Sequence, residues 1–403
     1  MLSTTQRNVT ALGLAQMLAW GSSFYLPAVL AVPMARDLGL SNAVVFAAFS
    51  WALIVSALLG PVCGWAIDHL GGKRILMLTS VVLALGLTLL SQAQGPLTLF
   101  AAWSVLGAGM AGGLYEGAFA TLVQLYGRQS RGPITGITLL AGLASTVGWP
   151  VSAALELSFG WRQACLFWAC VHLLINLPLY ALLAPPSQDP DKPDGTAEHD
   201  GSAHTQGLQN TDQTQLQPEQ QVRAAALLSI TFALTWFIST AMAAHLPRLL
   251  QEAGIGLSMA LLMGSLIGPA QVAGRILEYT VLRHLHPLLS ARLAAAMHPV
   301  GASFFLLLGA PWGVVFALLH GAGNGILTIA KGTLPLVLFG PQGYGLRQGI
   351  LMVPARFAQA LAPFVFGLAL DHWGAKTLWL SALLGLLCLA ALLALPSQSK
   401  TAR

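Results

Sequence analysis

Long apolar runs alternate with short polar breaks along this chain. Runs of Leu, Ala, Gly and Val, each close to the roughly 20 residues a helix needs to cross a bilayer, recur almost from end to end. They predict twelve spanning helices, at 9–35, 44–68, 73–93, 97–127, 133–157, 162–184, 222–250, 257–283, 288–309, 312–339, 349–372 and 375–396. Membrane strands would be short and would alternate apolar with polar. These runs are continuous, so the expected fold class is all-α and polytopic. The helices divide six and six, giving an N-terminal six-helix bundle over 1–184 and a C-terminal one over 222–403. Between them, 185–221 opens Pro-Pro-Ser-Gln-Asp-Pro-Asp-Lys-Pro-Asp and continues in Gln, Thr, Gly and His. It is too polar to bury a core and is expected to be a disordered cytoplasmic linker.

Composition agrees. Hydrophobic residues make up 56% of the chain and charged ones 8%, against about a quarter charged in a soluble domain. The 42 glycines and 22 prolines suit membrane helices, where small residues permit close packing. Cys63, Cys165, Cys170 and Cys388 all fall in apolar segments without metal-ligand spacing, which argues against disulfides and metal. The first run is too long for a secretory signal, and Arg7 alone precedes it as a basic flank.

Charge sets the expected orientation. With both termini and the linker in the cytoplasm, that side holds twelve Lys and Arg, while the other holds Arg36, Arg162, Arg248 and Lys376. The bias predicts a multi-pass protein of the cell's inner (plasma) membrane with both termini cytoplasmic. The halves also echo each other. Trp149-Pro150 leads to Gly160 as Ala362-Pro363 leads to Gly374, and Gly60-Pro61 followed by Gly64 parallels Gly268-Pro269 followed by Gly274. Such echoes suggest the internal duplication common in secondary transporters.

After the second helix comes Gly64-Trp-Ala-Ile-Asp68-His-Leu-Gly71-Gly72-Lys73-Arg74. This resembles the loop signature of the major facilitator superfamily, Gly-x-x-x-Asp-Arg-x-Gly-Arg-Arg/Lys, with His69 in place of arginine. The substitution weakens the local charge network or makes it pH-sensitive. Glycines there let helices approach, and Asp68 can accept hydrogen bonds from a helix amino terminus. The expected role of Gly64, Asp68, Gly71, Lys73 and Arg74 is therefore conformational. A finer resemblance is to the monocarboxylate porter-like branch. Gly268 followed seven residues later by Arg275 is similar to that branch's glycine and carboxylate-binding arginine, and Pro363, Gly367, Asp371 and Gly374 follow its pattern in the eleventh helix. Gln271 stands where some members have a proton-carrying aspartate. The resemblance implies that helices one, two, four, five, seven, eight, ten and eleven line a central path.

A charge at the centre of a spanning helix costs about 2.5–3.5 kcal/mol even on the lenient scale, so it normally faces a cavity or a partner. Glu116, Arg275, Glu278, Lys331 and Arg356 are the candidate charges inside the membrane, all on helices the resemblance puts along the path. His320, Asn324, Thr328 and Lys331 recur at steps of four, four and three, a single helical face. Gln271, Arg275 and Glu278, then Arg356, Gln359 and Pro363, then Gln16, Trp20 and Ser23 repeat the device. Arg275 is expected to pair with Glu278 one turn away. Glu116-Gly117 and Lys331-Gly332 stand at similar depths in the fourth and tenth helices, so an ion pair between them is expected, exchanged when an anion neutralises Lys331 or Arg356. Arg275, Lys331, Arg356, Asn324 and Gln271 are candidate substrate-binding residues, and Glu116 and His320 candidates for proton coupling. His172 and His298 sit on helices expected to be peripheral, where packing is their natural role, and His245 lies near the outer mouth.

Gly107, Gly109, Gly112 and Gly113 allow close helix contact; no strand precedes them and no Gly-Lys-Ser/Thr ending follows, so they are no phosphate loop. The expectation is a monomeric secondary active transporter, not an enzyme, without cofactor, metal or nucleic-acid partner. It would move a small organic anion, such as a monocarboxylate, by alternating access, proton-coupled or by exchange. Proton-driven efflux of a hydrophobic or cationic compound, with Glu116 as the binding acid, is the alternative within transport; a non-transporting membrane sensor or a membrane-embedded enzyme is the alternative outside it.

Overall fold

The computed structural model describes residues 3–185 and 218–396, and those residues are helical apart from short turns. Ser3 starts the first helix with a reciprocal cap, its hydroxyl accepting from Gln6 N while the Gln6 side chain accepts from Ser3 N. In the first half, α1 (Thr4–Ser22) and α2 (Pro27–Asp37) form one rod broken at 23–26, followed by the unbroken α3 (Asn42–Leu70) and α4 (Gly72–Ser91). A rod broken at Leu114 holds α5 (Pro96–Gly113) and α6 (Tyr115–Tyr126), and one broken at Gly142 and Leu143 holds α7 (Arg131–Ala141) and α8 (Ala144–Phe159). The half ends with α9 (Trp161–Val171), a π-helical turn at His172–Asn176 and α10 (Leu177–Ala181). The second half runs α11 (Pro218–Glu252), α12 (Leu257–Ser265), α13 (Ile267–Thr280), α14 (Pro287–Leu308), α15 (Gly313–Phe339), α16 (Tyr344–Trp373) and α17 (Thr377–Ala394).

By length and hydropathy these residues hold ten apolar stretches able to cross a membrane. Two of them, Pro96–Phe159 with 64 residues and Tyr344–Ala394 with 51, far exceed one crossing at about 1.5 Å of rise per residue. Each is interrupted by a short turn, at 127–130 and at 374–376. The expected linker falls outside the described residues except at its edges, and from Pro218 its last positions are already helical.

Within the first half α1 packs on α7 and α8, α3 on α5, and α4 on α5 and α9; within the second α11 packs on α16 and α17, α14 on α15 and α17, and α13 on α15. Two seams join the halves, α3 against α16 and α7 against α13. Leu58, Leu157, Leu174, Leu307 and Leu383 point outward, as expected of a surface solvated by lipid chains rather than water.

Candidate functional site

The helix breaks position the charges. Because the fourth rod restarts at Tyr115, Glu116 occupies the first turn of a new helix, whose partial positive end favours a carboxylate. Its Oε2 accepts from Arg356 Nη2 at 2.9 Å, across the halves. Arg356 Nη1 donates to Gln359 Oε1 at 3.0 Å. The fifth rod breaks after Ala141, exposing carbonyls at the negative end of α7. Arg275 Nη1 donates to one of them, Thr138 O, at 3.1 Å. Gly142 makes room for this, since a Cβ there would meet that same Nη1. Arg275 Nε is buried with no hydrogen-bond partner among the described residues.

Lys331, buried to 5% exposure, has no carboxylate within ion-pair distance among the described residues. Its Nζ sits 3.9 Å from the ring centre of Trp236. Arg356 lies 5.5 Å from the same ring. A desolvated cation–π contact contributes about 2 kcal/mol, far less than an ion pair would return for burying the charge. Trp236 stacks on Trp20 at 6.2 Å and 10°, Trp20 meets Tyr115 at 4.9 Å, and Tyr115 stacks on Phe119 at 5.2 Å. Phe119 in turn lies against Gly332, beside the lysine. The indole nitrogens of Trp20 and Trp236 are buried without partners among the described residues. A small cavity lined by Ser56, Gly60, Gly349 and Met352 borders the Glu116–Arg356 pair.

The charges therefore come together, though not in the expected pairs. Arg356 holds the carboxylate expected for Lys331, because the α16 guanidinium reaches the start of α6 while the amine turns onto Trp236. Arg275 and Glu278 do not pair. Glu278 lies a turn nearer the helix end and accepts from Arg131 of the other half at 2.8 Å, while Arg275 turns into the α7 break. His320 stands apart from Lys331. The two are separated by eleven residues, about 16 Å along a helix, and at its level His320 meets α14, with Nδ1 2.9 Å from His298 Nδ1. Asn324 donates to Ser239 Oγ at 3.0 Å within the second half, and Gln271 is half-buried with its carbonyl against Gly325. Gln16 donates to Gly113 O inside the first half, Ser23 bonds back to Ala19 O, and His172 is buried against Ser22 and Asn176. His245 reaches Pro363 O at 2.7 Å.

Sequence reasoning missed Trp236, Gly142 and the reach of Arg131. A signal for Trp236 existed: it stands in the opening helix of its half much as Trp20 does in the other. The helix breaks at Leu114 and Gly142 left no periodicity to read.

At the end bearing the Gly64–Arg74 loop the halves are latched. Asp68 accepts from Gly345 N at 2.9 Å and Leu346 N at 2.8 Å, the free amides at the start of α16. Backbone meets backbone at Gly64 with Gly345 and at Gly60 with Gly349. Gly71 turns the chain at φ +94°. Lys73 Nζ caps the end of α10 through Ala181 O at 2.6 Å and Leu183 O at 3.1 Å, Arg74 is exposed, and His69 stacks on Trp65 at 4.6 Å. On the other seam Arg131 also donates to Leu282 O and Leu285 O. Beside it, in the loop before α14, partial burial and then Arg131 and Arg292 hold the His286 imidazole below its ordinary pKa. At the opposite end Arg162–Asp37 and Arg248–Asp371 each stay within one half.

Broken helices that turn their ends toward buried charges are an arrangement that secondary transporters use. Residues 12–353 match the family model described as Major Facilitator Superfamily, and the chain belongs to that family. It is a transporter of small molecules, not an enzyme. It is 28% identical over 367 residues, 91% of this chain and 89% of the other, to an "uncharacterized 38 kDa protein in 23S RNA operon" of Thermoproteus tenax. It is 30% identical over 164 residues, 40% of this chain and 37% of the other, to a probable sulfoacetate transporter, SauU, of Cupriavidus necator. Among solved structures it is similar to the E. coli fucose:proton symporter FucP, with TM-score 0.70 at 14% identity over 96% of this chain and 98% of the other. It is similar also to the human organic anion transporter TETRAN, with TM-score 0.66 at 16% identity over 96% and 99%.

Proposed function

We propose that the protein is a secondary active transporter of a small organic anion, of which a monocarboxylate is the type suggested by the branch it resembles. Twelve crossings form two six-helix halves that rock about the central charges, in the inner membrane, with both termini and the linker cytoplasmic and the chain acting as a monomer. The motif end would then be the cytoplasmic end, and the latched arrangement one closed to the cytoplasm. One observation carries the anionic cargo: three cations, Arg275, Lys331 and Arg356, are buried on separate helices, Lys331 and Arg356 against the same Trp236 ring, and Glu116 is paired to only one of them. Such charges are held where something negative comes and goes. The pair Glu116–Arg356 supplies the exchangeable partner for proton coupling or counter-transport, since an anion bound to Arg356 frees the carboxylate to take a proton.

Uptake into proteoliposomes of a panel of radiolabelled organic acids, sulfoacetate included, with and without an imposed pH gradient, tests the proposal. Accumulation is expected in the wild type and should disappear in Arg275→Ala and in Lys331→Ala. Uptake unchanged in both variants would put the site elsewhere.

A further inference from the structure

The proposed anion site leaves the number of negative groups on the cargo open, and the buried charges count it. Away from the Asp68 latch, four cations lie in or border the seam between the halves, Arg131, Arg275, Lys331 and Arg356, against two carboxylates, Glu116 and Glu278. Both carboxylates are already committed, at 2.9 Å to Arg356 and at 2.8 Å to Arg131. Arg275 and Lys331 remain. They are 5% exposed each, and neither has an ion pair among the described residues. Arg275 holds a single backbone carbonyl, and Lys331 holds the face of an indole. Both lie against α7, where Thr138 O accepts from Arg275, and Ile134, one turn earlier, packs on Gly332 beside Lys331. Two like charges brought near one another in a low-dielectric interior are costly, and a single carboxylate bound between them would still leave one charge unmatched.

The unpartnered polar atoms point the same way. Arg275 Nε and the indole nitrogens of Trp20 and Trp236 are buried donors with nothing to donate to among the described residues. Trp20 is 3% exposed and stacked on the ring that Lys331 covers. A buried donor left unsatisfied costs about 1–3 kcal/mol, so these donors favour a cargo rich in acceptor oxygens.

Resting on the proposed anion transport, we infer that the cargo is a small dianion with two acidic groups, one for Arg275 on α13 and the other for Lys331 on α15. Binding draws the Lys331 amine off the Trp236 face onto the second acidic group, and the indole N–H groups become available to its oxygens. Both charges of the cargo are then matched.

The test compares acids of equal carbon number that differ in charge. Radiolabelled uptake into proteoliposomes is competed with malonate against propionate, and with succinate against butyrate, at a pH where both dicarboxylic acids are fully ionised. In the wild type each dianion should compete at least about tenfold better than its monoanion, the worth of one charge-assisted contact. In Lys331→Gln, which keeps hydrogen bonding but loses the charge, the dianion advantage, read for the same acid pairs as ligand-dependent thermal stabilisation of the purified protein in detergent, should fall to about threefold or less. Arg275→Gln gives the same readout should the lysine variant fail to insert. Monoanions competing as well as dianions in the wild type would overturn the inference and leave anion transport standing. No uptake or competition by any organic acid would overturn both.

Discussion

A single hydrogen atom in place of a methyl group holds Arg275 where it is. Gly142 faces the guanidinium, and a Cβ added there would meet first the far end of that flexible side chain, with the Leu139 and Thr138 carbonyls of its own turn at 3.1 Å. Gly142→Ala should therefore insert and fold, while displacing the charge from Thr138 O. The expected result is a KM raised about tenfold, one lost charge-assisted contact, with thermal stability in detergent within about 0.5 kcal/mol of wild type. The Glu116–Arg356 pair behaves differently. Glu116→Gln leaves a guanidinium buried at 3% exposure without its partner, at a cost of about 3–5 kcal/mol. The double variant Glu116→Gln/Arg356→Gln removes both charges and should recover most of that stability, but not transport; unfolding followed by circular dichroism, alongside uptake, separates the two. At this scale the sequence made the charged residues legible, because a Lys or Arg in an apolar run has few innocent explanations. It did not make their partners legible. Which acid Arg356 or Lys331 meets depends on where α6 restarts after Leu114, and Gly112-Gly113, a helix-breaking signal in water, is in a membrane helix equally the signature of close helix contact.

Helices were easier to read than charge pairs, because hydropathy and length depend on the chain alone. The long apolar runs and their polar breaks reappear as rods with ends a few residues away, while α1 and α16 start five residues, and α11 four, earlier than the pattern suggested. What the pattern hid were the interruptions inside rods, at 23–26, Leu114, Gly142 and Leu266. In a membrane such a break is tolerated only where protein or a water-lined path satisfies the freed backbone groups, and here Arg275 adds a second donor to Thr138 O, which also accepts from Gly142 N. At the start of α16 the same need is met by Asp68, which accepts from two free amides. A carboxylate at a helix amino terminus is worth about 0.3–2 kcal/mol. Asp68→Asn keeps one acceptor oxygen and loses the charge. It should shift the balance away from the latched state by roughly twofold to thirtyfold, read as faster alkylation of a cysteine placed at Gly60, on the α3 side of the seam, in a cysteine-free background.

The two seams tie the halves together as one object. On the α3–α16 seam the latch is Asp68 with the Gly345 and Leu346 amides; on the α7–α13 seam it is Arg131 with Glu278. Between them lie the tight glycine approaches and the packing of Phe119 and Ile134 on Gly332. Close-packed interfaces have few intermediate arrangements, so if each half moves as a rigid bundle, weakening either latch must loosen both seams. A cysteine in place of Ile134, fully buried on the second seam, therefore reports on a latch it does not touch. Introducing Asp68→Asn should raise its alkylation from the motif side by about the same factor as at Gly60, and adding Arg131→Ala should multiply the effect rather than cap it. A response at Gly60 with none at Ile134 would mean that α16 frays alone and that the halves do not rock as units.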